Sequence, residues 1–140
     1  MSAKYFLDTN IFVYSFAAHL PSKQKKALEL VGEALEDGNG IISSQVVQEF
    51  LNVALHKFEK PLSWEESHRY FEEVLGPLCG VYPDPELYRK ALQVRHETGY
   101  RFYDALIIAS ALEGGCKILY SEDLQDGRKI FGLSVKNPFK

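Results

Sequence analysis

Phe102-Tyr103-Asp104-Ala105-Leu106-Ile107-Ile108-Ala109-Ser110-Ala111-Leu112 runs through Glu113-Gly114-Gly115 into Cys116-Lys117-Ile118-Leu119-Tyr120. From Ala105 to Leu112 the residues are apolar around the whole helical circumference. This predicts a helix buried on every side. Gly114-Gly115 stops it. The β-branched and aromatic run that follows predicts a buried strand. A buried helix feeding a buried strand is the mark of an α/β fold, with helices covering both faces of a mostly parallel sheet.

The flanking sequence repeats the alternation. Lys4-Tyr5-Phe6-Leu7-Asp8 predicts a first strand, and Asn10 is placed to cap a helix over 11–19. Pro21-Ser22 opens a second helix with Ala27, Leu28, Leu30, Val31, Ala34 and Leu35 on its apolar side. Asp37-Gly38-Asn39-Gly40 is a turn, and a short strand follows over 40–43. Ser44 should cap a helix over 44–58, with an apolar stripe through Val46, Val47, Phe50, Leu51, Val53, Ala54, Leu55 and Phe58. Glu49 lies just outside that stripe. Ser63-Trp64-Glu65-Glu66 has the form of a capping box and predicts a helix to about residue 75. A strand at 80–82, a helix from Asp84-Pro85 to Gly99, and a last strand at 133–136 complete the pattern.

The chain has 140 residues, with 46% hydrophobic and 25% charged residues. One domain over 1–140 is expected, and disorder or a fibrous repeat is excluded. No apolar run approaches the roughly 20 residues that span a bilayer. No apolar leader precedes Asp8, so a cytoplasmic location is expected. Cys79 and Cys116 lack metal-ligand spacing and are expected to be free, buried thiols. His19, His56, His68 and His96 likewise lack paired spacing. The net charge of −3 supplies no overall basic footprint for nucleic acid.

The acids carry more information. Asp8 ends the first strand. Glu49 borders a buried stripe, Asp104 sits in the first turn of the most apolar helix, and Asp123 follows a strand end. In open parallel sheets, sites form outside the carboxyl ends of the strands. Several carboxylates gathered there need a cation, and an all-oxygen donor set favours Mg²⁺ or Mn²⁺. Setting those four of the 19 acids aside leaves the 16 Lys and Arg in slight excess. A metal-filled acidic site therefore need not repel a phosphate backbone. Taken singly, each acid also has a plainer reading as a turn, cap or solvated residue.

These residues also resemble a family. Phe6-Leu7-Asp8-Thr9-Asn10 resembles the opening motif of PIN-domain nucleases. Glu49, Tyr103-Asp104-Ala105-Leu106-Ile107-Ile108-Ala109-Ser110-Ala111 and Leu119-Tyr120-Ser121-Glu122-Asp123-Leu124 follow in matching order. The resemblance covers nearly the whole chain, and its size is most similar to the VapC group, the toxin half of toxin–antitoxin pairs. It implies a PIN-like three-layer α/β/α sandwich with a mostly parallel central sheet. It implies a metal-dependent endoribonuclease in which Asp8, Glu49, Asp104 and Asp123 hold one or two Mg²⁺ or Mn²⁺ ions. Thr9, Asn10 and Ser121 would orient the carboxylates or a water. A cognate antitoxin and a homodimer are the implied partners, with RNA as substrate. Many relatives carry a further aspartate where this chain has Gln125, so Asp126 is the nearest substitute, or else serves the turn before Gly127.

Two other classes compete. A haloacid-dehalogenase-like phosphatase would need an acid where Asn10 stands, and the acidic pair and lysine of a receiver domain are not apparent. A non-catalytic PIN-like RNA- or protein-binding module would be expected to have lost acids, and all four are present. Arg101, Arg128 and Lys129 are candidates for steering an RNA backbone, with solvated surface charge as the plainer reading for each. The 61–75 segment (Trp64, Tyr70, Phe71, Val74, Leu75) reads equally as packing or as an interface.

Overall fold

The strand β1, Lys4–Leu7, lies inside a six-stranded sheet ordered, edge to edge, Cys79–Val81, Gly40–Ser43, β1, Cys116–Tyr120, Leu133–Lys136 and Lys129–Ile130. The computed structural model describes residues 4–140. The expectation about the extreme N-terminus rests in part on residues 1–3, which lie outside the described residues.

Along the chain, β1 is followed by α1 (Thr9–Tyr14), α2 (Pro21–Asp37), β2 (Gly40–Ser43) and α3 (Ser44–His56). Next come α4 (Trp64–Tyr70), a π-helical turn (Phe71–Leu75), the short α5 (Gly76–Leu78) and β3 (Cys79–Val81). The chain closes with α6 (Pro85–Thr98), α7 (Phe102–Glu113), β4 (Cys116–Tyr120), β5 (Lys129–Ile130) and β6 (Leu133–Lys136). All pairings are parallel except the β5–β6 hairpin. Helices flank the sheet, giving the expected α/β/α sandwich.

The sheet registers bring distant segments together. Phe6 pairs with Ile41 on one side and Leu119 on the other, and Leu7 pairs with Tyr120. Phe6, Leu7, Ile42, Leu119, Leu133 and Val135 are buried in the sheet. Phe12, Phe50 and Ile108 pack over it from the helices. The α7 run from Ala105 to Ala111 is buried throughout, as its composition requires. At Gly40 a side chain has no room: an added Cβ would lie 2.4 Å from the Ala34 Cβ, so α2 sits directly on β2.

Several details differ from expectation. Asp8, not Asn10, caps α1, which ends at Tyr14 rather than near residue 19. The α3 cap position is Ser43, without a side-chain bond, and the helix stops at His56. Leu28, Leu35 and Leu55 are exposed, so the apolar stripes are wider than the buried faces. The Ser63–Glu66 capping box forms as expected, but Trp64 is 77% exposed and takes no part in the core. The helix continues as a π-turn, whose last residue Leu75 is buried. Cys79 and Cys116 are both free; Cys116 is buried, but Cys79 is only half-buried because it opens the edge strand β3. Two-residue β5 was not foreseen, being too short to carry a pattern.

Candidate active site

From the central strand β1 the sheet grows one way through β2 and the other way through β4. That reversal creates a crevice between the carboxyl ends of β1 and β4, where parallel sheets place their ligands. The strands are tied there by Asp8 N–H donating to Tyr120 O at 3.0 Å. Asp8 leaves β1 and Ser121 leaves β4 side by side. Helices α3 and α7 supply the other walls, with Glu49 on the second turn of α3 and Asp104 in the first turn of α7. The result is a cleft of about 310 Å³ lined by Asp8, Glu49, Asp104 and Asp123 together.

A hydrogen-bond scaffold holds three of these acids. Asp8 Oδ1 accepts from the N–H of Thr9, the first residue of α1, at 2.7 Å. Ser121 Oγ donates to Asp8 Oδ2 at 2.7 Å. The same hydroxyl accepts from Asp123 N–H at 3.2 Å, fixing the loop after β4. Thr9 Oγ1 donates to Glu49 Oε1 at 2.6 Å, bridging α1 and α3. Asn10 Nδ2 donates to Asp123 Oδ2 at 2.8 Å. Thr9, Asn10 and Ser121 therefore each touch a carboxylate directly.

The electrostatics are those of a site short of positive charge. Asp8 is 8% exposed. Burial, reinforced by Asp123 and Glu49, raises its carboxyl to about 6 against the bonds from Ser121 and Thr9. Asp123 is also pushed up, by partial desolvation and then by Glu122, Asp104 and Glu49, with Asn10 opposing. Among the described residues, none of the four acids has an ion-pair partner. Among the described residues, no three Asp, Glu, His or Cys side chains converge tightly enough to form a ready ion cage. Like charges repel, and separate hydrogen-bond donors hold three of the four acids. The all-oxygen, partly desolvated donor set has the chemistry that a hard divalent ion requires.

Asp126 does not join the cleft. Its Oδ1 accepts from Asn137 N–H at 2.8 Å, and Lys140 lies 3.9 Å from Oδ2. It serves the chain turn, so Gln125 is not compensated by its neighbour. Arg101, Arg128 and Lys129 do not line the cleft either; Arg128 lies 5.1 Å from the Tyr100 ring centroid.

Three cleft residues escaped the sequence reading: Gln45, Asn52 and Lys57. Gln45 Nε2 donates to Glu49 Oε2 and to Tyr103 O, each at 3.1 Å, and so links α3 to α7. Helical spacing was the available signal, since 45, 49 and 52 share one face of α3. Lys57 is the basic side chain at the rim.

The PIN domain family model matches residues 5–126. No curated protein matches the chain. Among solved structures, a toxin–antitoxin complex from Klebsiella pneumoniae is 20% identical with a TM-score of 0.69, over 96% of this chain and 98% of that one. DNA-bound VapBC from Salmonella typhimurium is 20% identical with a TM-score of 0.68, over 98% and 99% of the two chains. VapBC2 from Rickettsia felis, bound to a promoter DNA fragment, is 24% identical with a TM-score of 0.62, over 95% and 97%. These likenesses establish a shared fold. Together with the family match across most of its length, they lead to one conclusion: the chain belongs to the PIN-domain family.

Proposed function

We propose that this protein is a metal-dependent endoribonuclease, the VapC-type toxin of a toxin–antitoxin pair, built as one PIN-like domain over 1–140 and acting in the cytoplasm. The observation that carries the proposal is the cleft itself: four carboxylates from four separate elements meet at the sheet's reversal point without a paired cation. The family match and the toxin–antitoxin neighbours support the toxin reading. Those neighbours also support an antitoxin partner. A homodimer is expected from the family resemblance.

In this mechanism Asp8, Glu49, Asp104 and Asp123 would hold one or two Mg²⁺ or Mn²⁺ ions. Such an ion, when bound, acidifies a water and offsets charge on a phosphoryl oxygen. The chain's own residues supply the positioning. Ser121 and Thr9 N–H keep Asp8 in one rotamer and favour its ionised form. Thr9 Oγ1 and Gln45 orient both oxygens of Glu49. Asn10 holds Asp123 at the rim while leaving Oδ1 free of that bond. Lys57, at the cleft edge, is suited to meet the RNA backbone.

No helix among the described residues is long and apolar enough to cross a membrane. The test is cleavage of a mixed RNA pool with Mg²⁺ or Mn²⁺. Asp8→Asn and Asp104→Asn should abolish cleavage while circular dichroism shows an intact fold. Full cleavage by both variants overturns the proposal. A wild-type protein that binds RNA without ever cutting it would establish the non-catalytic binding module instead.

A further inference from the structure

Beside the acid cleft, and sharing Gln45 and Tyr103 with it, lies a second cavity of about 250 Å³. It sits between the end of β2, the start of α3, and the first turns of α6 and α7. Tyr88, Phe102, Tyr103, Leu87 and Leu106 give it apolar walls. Three polar side chains on its lining are almost wholly buried, Ser43 at 1%, Gln45 at 7% and Ser110 at 1% exposure, and of these Ser110 Oγ is already bonded to Leu106 O. Ser43 Oγ and Gln45 Oε1 are the two buried side-chain polar atoms without a hydrogen-bond partner among the described residues. Unpaired buried polar atoms carry a cost, and both of these belong to residues that line one cavity.

The orientation of the Gln45 amide is fixed by its other end. Nε2 faces two acceptors, Glu49 Oε2 and Tyr103 O. Flipping the amide would set Oε1 against both of those oxygens. Oε1 is therefore an acceptor waiting for a donor. Tyr88 and Tyr103 are 45% and 67% exposed as residues and both line the cavity, so they offer surface to a flat partner. A flat group that brings an N–H matches this combination of rings and acceptor.

We propose that this cavity is a nucleobase subsite that receives an amino-bearing base of the RNA against Tyr88 and Tyr103, with Gln45 Oε1 accepting its N–H. The inference rests on the endoribonuclease reading and adds base selection to it. Adenine, cytosine and guanine present an exocyclic amine. The N3–H of uracil is flanked by two carbonyls that oppose the Gln45 carbonyl, so uracil is disfavoured. Aromatic side chains serve any base, while the acceptor discriminates among them. Because the same amide holds Glu49, Gln45 is also a positioning residue that connects the occupied subsite to the acid cleft.

The binding test uses the full-length, metal-free protein and needs no cleavage. Isotope-labelled protein is titrated with AMP, CMP, GMP, UMP and ribose 5-phosphate to roughly 10 mM, a range that captures millimolar affinities. The amino-bearing nucleotides should shift the Gln45 side-chain amide and the Tyr88 ring signals, UMP should do so weakly, and ribose 5-phosphate should not. Shifts confined to the acid cleft, equal shifts from ribose 5-phosphate, or no shift from any nucleotide would overturn the subsite. In the cleavage assay, Tyr88→Ala should raise KM about tenfold with kcat retained and loosen base preference beside the cut. Tyr88→Phe should restore both. Unchanged KM and unchanged preference in Tyr88→Ala also overturn the subsite. Absence of cleavage by the wild type would instead count against the endoribonuclease reading alone.

Discussion

Two adjacent carboxylates after β4 meet opposite surroundings. Glu122 lies beside α2, where Lys23 Nζ is 2.7 Å from Oε2 and the Tyr14 hydroxyl donates to Oε1. Burial alone would raise the Glu122 carboxyl, but Lys23 and Tyr14 outweigh it and hold it below its ordinary range. Asp123, one residue on, faces Asp8, Glu49 and Asp104 and is pushed upward. Glu122 has a permanent positive partner, whereas the cleft acids have hydrogen bonds and each other. A carboxylate paired within the chain has little left to offer a ligand; a group of unpaired, partly desolvated ones gains by taking up a cation. The acids proposed to hold a metal are thus the ones that the fold leaves without a charged partner among the described residues.

If that contrast is sound, its largest signature after the loss of cleavage is on stability. Asp8 ordinarily titrates at 3.8 but is held up to about 6 in the folded chain. Between those values the folded state binds more protons than the unfolded one, so metal-free stability falls as pH rises through the window. At neutral pH the cost is on the order of 3 kcal/mol. Asp8→Asn should therefore melt higher than wild type at pH 7 in chelator, with the gap closing towards pH 4. A variant that melts lower at pH 7, with no such closure, would show that Asp8 is not destabilised by its burial.

A smaller effect concerns Ser121. Its hydroxyl serves both Asp8 Oδ2 and Asp123 N–H. Ser121→Ala should lower metal affinity by roughly 10–100-fold, the usual penalty for losing a supporting hydrogen bond at a metal site. Titration of the variant with Mn²⁺ measures this, and wild-type affinity would remove Ser121 from the site. Smallest of all should be Glu122→Gln, which is expected to leave Mn²⁺ affinity and RNA cleavage unchanged because Lys23 already occupies that carboxylate.

The sequence made the framework of this site readable for a physical reason. Strand ends and helix starts are marked by sharp local signals, and Asp8, Asp104 and Asp123 sit on them. The burial of α7 followed from an apolar circumference that has no other stable home. Glu49 was visible only as an acid at the margin of a stripe; Thr9 explains its position, and that contact spans 40 residues. Gln45 was hidden because a neutral amide at a helix start reads as ordinary, and its role depends on Tyr103 O arriving from α7. Asp126 reads in one dimension either as the nearest substitute for an acid at Gln125 or as a turn residue, and its partner is Asn137 N–H. Leu28 and Leu35 lie on the apolar side of their helix yet are exposed, because periodicity reports an apolar face without reporting how much of it a neighbour covers. The shortness of α1 and the π-turn after α4 depend on tertiary packing, which local propensity does not encode.

On the reading proposed here, the four acids, and not their paired neighbour Glu122, need a divalent cation. Calorimetric titration of Mn²⁺ into wild type, Asp8→Asn, Asp104→Asn and Glu122→Gln tests it most directly. Saturable binding by wild type and Glu122→Gln, lost in both aspartate variants, is the predicted result. Binding that survives in Asp8→Asn and Asp104→Asn, or is missing from the wild type, would contradict it.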